Sequence, residues 1–209
     1  MSADIQVYIG GPCMCNGYLV KCSEGYVAID APLGFADWVR KKLPEQAPLT
    51  DLLITHQHFD HVQGVAALVA ATGCRVHACM PYSRALTLEL LAARSWDGGL
   101  DVEPFRVDDA FGPACRSAEW GGDKWRISHI PGHSSDGVAY ELERAESIFC
   151  GDILFSGAVG RTDFPGGSMS SLIRGIREKL LTRPHNCTVY SGHGPSTSLG
   201  EEILNNPYL

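Results

Sequence analysis

The sequence predicts a mixed α and β chain of the α+β class, folded as one domain over residues 1–209. Short apolar runs broken by Gly, Pro and Asn recur along the chain, and stretches with helical apolar spacing lie between them. At 209 residues and 44% hydrophobic against 20% charged, the chain has the material for one substantial core.

The elements follow in order. "IQVYIG", "GYLVKC" and "GYVAIDAP" form strands, and "DWVRKKLPE" has helical spacing until Pro44 interrupts it. "DLLIT" (51–55) is a buried strand, and "HVQGVAALVAATG" a helix that stops at Gly73. "CRVHAC" is a further strand and "YSRALTLELLAARS" a helix. Residues 96–123, rich in Gly and Asp, are mainly loop with one or two short strands. Strands "KWRISHI", "GVAYEL" and "SIFCGDI" come next, then a helix "SMSSLIRGIREKL", a strand "CTVYS" and a short helix "LGEEILNN". Each half therefore holds several strands with helices.

Composition narrows the function classes. A net charge of −7 argues against general affinity for nucleic acid. No apolar run reaches the length of a membrane span, and the start "MSADIQVYIG" has no secretory pattern. Eight cysteines in that setting point to reduced thiols in the cytoplasm, not a disulfide framework. Cys13 and Cys15 form a C-x-C pair without a second pair at ligand spacing, so ordinary packed thiols are expected. Cys74, Cys79, Cys150 and Cys187 sit in strand-like runs and are expected in the core.

The chemistry concentrates in "LLITHQHFDHVQG". His56, His58, Asp60 and His61 fall within six positions after an apolar run, and imidazole and carboxylate are what borderline divalent metals bind. Three more donors share one local grammar. His133 in "PGH", Asp152 in "GD" and His193 in "GH" each follow an apolar strand and a Gly. Strand ends on one rim of a buried sheet converge, and Gly lets backbone pass close to a site. His56 and His58 lie two apart and point the same way in extended backbone, whereas Asp60 and His61 fall where the chain turns into a helix. That spacing predicts two adjacent metals. His56, His58 and His133 would complete one site, Asp60, His61 and His193 the other, with Asp152 bridging.

"THQHFDH", "PGHSSDG", "GDILF", "GAVGRTDFPGGS" and "SGHGPST" together resemble the motif series of the metallo-β-lactamase fold, in order over nearly the whole chain. The branch most similar is that of the glyoxalase II-like thioester hydrolases. The resemblance implies a four-layer αβ/βα sandwich with the metals at one edge of two central sheets. It implies a pair of divalent ions, zinc first and iron or manganese as alternatives, and Asp60 as a catalytic residue besides a ligand. Asp30, in "VAIDAP", matches an Asp that the family places near the site, where it would orient a ligand. Arg161 and Asp163 match a family loop, as an internal ion pair or in direct substrate contact. Phe59 either faces the substrate or packs. His77, His129 and His185 match no ligand element and are expected at the surface or in local hydrogen bonds.

Two divalent ions about 3.5–4 Å apart ionise a shared water at neutral pH for attack on a carbonyl. A thioester suits such a site because its thiolate leaves without a dedicated acid. Only 16 residues, Gly194–Leu209, follow the last donor. The C-terminal helical domain of full-length glyoxalase II is therefore expected to be absent, and its glutathione contacts do not carry over. The expected partner is a small-molecule thioester, S-lactoylglutathione among the candidates, with no nucleic acid and no membrane. Arg161 or Arg174 would offset the acidic net charge locally. The rival readings are a persulfide dioxygenase, with one iron on His56, His133 and Asp152, and a lactonase of the same fold.

Overall fold

The computed structural model describes residues 4–93 and 100–209. Residues 5–110 supply one sheet: β1 (Ile5–Gly10), β2 (Cys15–Cys22), β3 (Gly25–Ile29), β4 (Leu49–Leu53), β5 (Arg75–Ala78) and β6 (Asp109–Ala110), side by side in chain order. The first three strands pair antiparallel and the rest parallel. The connections carry α1 (Phe35–Lys42), α2 (Phe59–Val62), α3 (Val65–Thr72), α4 (Arg84–Thr87) and α5 (Glu89–Ala92).

The following residues build a second sheet. Its strands are β7 (Ser117–Trp120), β8 (Asp123–His129), β9 (Val138–Leu142) and β10 (Ser147–Gly151). A small hairpin of β11 (Leu154–Phe155) and β12 (Ala158–Val159) stands apart, and α6 (Met169–Lys179) follows. β13 (Thr188–Ser191) and β14 (Thr197–Ser198) complete the sheet in the order β14-β13-β10-β9-β8-β7, before α7 (Leu199–Asn205).

Period-two alternation decides what each strand faces. Tyr18, Val20, Val27, Ile29 and Leu53 of the first sheet meet Trp125, Ile127, Tyr140 and Phe149 of the second in a core between the sheets. Leu19, Ala28, Leu52 and Val76 point the other way, onto Phe35 and Val39 of α1 and Val65 and Leu68 of α3. On the far side, Ala139, Ile148 and Val189 pack against Leu172 and Ile176 of α6 and Leu199 of α7. The layers therefore run helix, sheet, sheet, helix. Cys74, Cys79, Cys150 and Cys187 are core residues, as their runs indicate.

The sequence pattern and the structure differ in four places. The strand expected at 51–55 lies at Leu49–Leu53, which frees Thr55 and His56 for a loop. The helix expected over 61–73 is two pieces, since the Gly64 N–H donates to Ala31 O at 2.7 Å and leaves the helical ladder between them. "YSRALTLELLAARS" holds two single turns, with Leu88 at φ 55° between them, and its last two residues lie outside the described set. The β11–β12 hairpin, too short for any periodicity, carries no sequence signal. The stretch expected as loop with one or two short strands does hold the short β6 and β7, and its residues 96–99 lie outside the described residues.

Candidate metal centre

Four of the seven predicted donors stand just beyond the C-terminal ends of strands. His56 follows β4, His133 follows β8, Asp152 follows β10 and His193 follows β13. His58 caps α2, whose first turn presents Asp60 and His61. The loop 54–58 is held from the second sheet: the Val138 N–H donates to Thr55 O at 2.9 Å, and the Tyr140 hydroxyl to Ile54 O at 2.7 Å. Gln57 points away from the two histidines that flank it. Its amide donates to Met80 O and Pro81 O at 3.1 Å, and its backbone N–H donates to Asp136 Oδ2 at 3.1 Å. Asp136 also accepts the Ser134 hydroxyl. Asp136 is thus a positioning residue for the donor loop that the sequence did not single out.

The structure brings all seven predicted donors together. His56, His58 and His133 form one group in which a donor atom of each lies within 4.8 Å of the others. His133 Nε2 and His58 Nδ1 are 2.9 Å apart. Asp60, His61 and His193 form a second group by the same measure, and Cys15 joins it. His193 Nε2 is 3.3 Å from Asp60 Oδ2. Asp152 stands between, 3.5 Å from His133 Nε2, 3.5 Å from His193 Nε2 and 3.3 Å from His61 Nε2.

The outward nitrogens are tied down, which aims the others inward. His61 Nδ1–H donates to Asp30 Oδ2 at 2.7 Å, and Asp30 also accepts the Thr55 N–H and hydroxyl at 2.7 Å each. The Asp expected to orient a ligand thus sits directly on His61. His133 Nδ1–H donates to Arg161 O at 2.8 Å. On the inner side, His56 Nε2, His61 Nε2 and Asp152 Oδ1 are buried without a hydrogen-bond partner. Orphaned buried atoms cost free energy unless something fills the gap between them. Three such atoms converging within a set of imidazoles and carboxylates fit divalent metal.

Electrostatics agree with that donor set. Burial, then the neighbouring imidazoles, pushes His56 well below its ordinary value and His58 to about 3, so both rings are neutral as ligation requires. Burial works against the Asp60 and Asp152 carboxylates, yet His61 and the other imidazoles hold both low. Burial also opposes a charged His61, but Cys15, Asp30, Asp152 and Asp60 around it push it well up. A cation bound here would take the place of that proton.

The centre opens into a cavity of about 670 Å³. Phe59, Leu88, Leu91, Ala92 and Phe164 give it an apolar wall, and Cys13 lies on it too. Phe59 also packs in the core beneath. Arg161 and Asp163 form the expected ion pair, bidentate at 2.7 and 2.6 Å, while lining the cavity. Arg161 further lies over the Phe164 ring at 4.4 Å. Arg174 lines a separate groove on α6 with Met169 and Ile173 and is not among the side chains lining this cavity.

His129 Nε2–H donates to Ser135 O at 2.9 Å, as a local bond, and His185 is exposed. His77 departs from its expected place. It is 1% exposed, donates to Asp51 at 2.8 Å and accepts the Trp120 indole N–H at 3.1 Å, tying the two sheets together. Cys15, expected as an ordinary packed thiol, instead stands beside the second donor group. The C-x-C pair was its only signal, and spacing alone does not separate a packed thiol from one beside a histidine cluster.

Comparison with known proteins agrees with this architecture. The family model of the metallo-beta-lactamase superfamily matches residues 10–193. Hydroxyacylglutathione hydrolase GloC of Haemophilus influenzae is 32% identical over 196 residues, 93% of this chain and 92% of its own. The crystal structure of TTHA1623 in a di-iron-bound form superposes with a TM-score of 0.82 at 35% identity, covering 98% of this chain and all of the other. The BLEG-1 B3 metallo-beta-lactamase superposes with a TM-score of 0.86 at 28% identity, covering 98% and 99%.

Proposed function

Because the chain belongs to the metallo-beta-lactamase superfamily of metal-dependent hydrolases, we propose that it is a dinuclear thioester hydrolase of the glyoxalase II type. The observation that carries this reading is the pairing of donor groups, His56, His58 and His133 beside Asp60, His61 and His193, with Asp152 in reach of both. A single-metal oxygenase would use only His56, His133 and Asp152 and leave four converging donors without a task. GloC supports the thioester, and the di-iron form of TTHA1623 supports a pair of ions. We take zinc as the resident metal, with iron or manganese as alternatives. All eight cysteines are unpaired, which supports a reducing, cytoplasmic setting.

Two divalent ions held by these side chains supply a water ionised at neutral pH and a Lewis acid for the carbonyl oxygen. The chain does the rest. His56 and His58 stay neutral through burial, and Asp30 and the Arg161 carbonyl fix the rings of His61 and His133. Asp60, an ionised carboxylate on the cavity wall, would help hold the metal pair and stands where it could accept a hydrogen bond from a water in the cavity. The apolar wall of Phe59, Leu88, Leu91 and Phe164 seats the acyl thioester and limits water. A thiol of pKa near 8.5 leaves as thiolate, so no side chain has to protonate it.

The test is hydrolysis of S-lactoylglutathione by zinc-loaded protein. His58→Ala is expected to lower kcat/KM by at least ~100-fold, about 2.7 kcal/mol of transition-state stabilisation. If the parent protein retains two metals and leaves this thioester intact, the glyoxalase II reading falls. A His58→Ala protein with parental turnover removes the dinuclear reading instead.

A further inference from the structure

Cys15 opens β2 and is wholly buried. Its Sγ and one donor atom each of Asp60, His61 and His193 lie within 4.8 Å of one another. Its Sγ donates to the Asn16 carbonyl at a long 3.7 Å and also stands beside the His61 ring. At the same place His61 Nε2 and Asp152 Oδ1 are buried 3.3 Å apart, neither in a hydrogen bond of good geometry.

The thiol is held there by contacts far away in sequence. The Asn16 N–H donates to Gly192 O at 2.8 Å, and its side-chain amide to Ser191 O and Gly194 O at 3.0 Å each. The Tyr18 hydroxyl donates to Ser191 O at 2.6 Å. The start of β2 is thereby stitched to the loop that carries His193, and Cys15 cannot withdraw from the cluster without breaking those bonds.

We propose that Cys15 is a metal ligand, so that the second position is an Asp60–His61–His193–Cys15 set while the first is all imidazole with Asp152. This rests on the two-metal reading above. On ligation the S–H bond breaks, the S–metal bond forms and the proton passes to solvent. Thiolate is a soft donor at about 2.3 Å from zinc, and it selects against manganese and magnesium. The two positions are therefore chemically unequal, and the sulfur-bearing one favours zinc over harder ions.

The experiment is spectroscopic and needs no turnover. Metal-stripped protein is titrated with cobalt(II), and the bound equivalents are counted. The parent is expected to bind two and to show a near-ultraviolet thiolate-to-cobalt charge-transfer band. Cys15→Ser and Cys15→Ala are expected to lose the band and at least ~10-fold in affinity for one equivalent, the scale on which even outer partners act. Cys13→Ser is expected to keep both. Two equivalents bound without the band in the parent would overturn the role of Cys15 and leave the two-metal reading standing. One equivalent without the band overturns both. A band that survives in the Cys15 variants, or vanishes in Cys13→Ser, also overturns the assignment, and the parent spectrum decides the matter even where a variant folds poorly.

Discussion

Asp30 accepts three hydrogen bonds with two oxygens, from His61, the Thr55 N–H and the Thr55 hydroxyl. An asparagine there has one oxygen and one NH2, so one of the two oxygens' partners would meet a donor instead of an acceptor. Asp30→Asn is expected to cost 10–100-fold in metal affinity, read by competition with a chelator. Unchanged affinity in a folded variant would show that His61 needs no such anchor. At this scale the convergence of the seven side chains was legible because H-x-H-x-D-H and the strand–Gly–donor pattern each have a local cause. Asp136 and Cys15 were not, because their roles depend on Gln57 and on the His193 loop, 79 and 178 residues away respectively.

Elements position the donors by close backbone approach, and the β11–β12 hairpin shows how little room they leave. It returns the chain at Gly160 against Asp152, where an added Cβ would lie 1.9 Å from the Asp152 carbonyl oxygen and 3.1 Å from the His133 Cβ. Gly160→Ala is expected to destabilise the fold by ~1–3 kcal/mol through overpacking. It should weaken metal binding in the same variant, since both displaced residues are donors. Urea unfolding and the chelator competition check this together, and a variant parental in both would mean that the hairpin moves aside freely. Strands with clean alternation, such as β2 and β3, were legible in the sequence. The helix pattern over 82–95 was not: its apolar spacing suits a continuous helix, but Leu88 turns left-handed where the chain lines the cavity wall.

Across the molecule, the two sheets are joined by metal donors at one end and by a polar clamp at the other. Asp123 at the start of β8 accepts the Ser23 N–H at 3.1 Å and its hydroxyl at 2.6 Å, and pairs with Arg144 at 2.8 Å. Arg144 also donates to Lys21 O at 2.8 Å. Burial would raise the Asp123 carboxyl, but the Ser23 and Arg144 hydrogen bonds hold it below its ordinary value. The clamp's contribution is then complete above the unfolded carboxylate value, near 3.9, and is lost as pH falls through the lower folded value. Asp123→Asn is expected to be less stable at neutral pH and to lose less stability on acidification, as measured by urea midpoints from pH 7 to 3. Parallel curves for the two proteins would exclude the clamp as an acid-sensitive tie. The layered architecture was legible only through the family motifs, since no periodicity states how two sheets face each other.

Residues 5–110 make one sheet and the rest the other, and this division has a consequence for synthesis on the ribosome. The first half emerges with His56 and His58 on a loop that Val138, Tyr140 and Asp136 of the second half hold, and the face that carries Tyr18, Val20, Ile29 and Leu53 has nothing to cover it. About a hundred residues still to be made, at about 5–20 per second, leave that face bare for roughly 5–20 s. In that interval the exposed apolar face is open to aggregation, and the donors His133, Asp152 and His193 have yet to be translated.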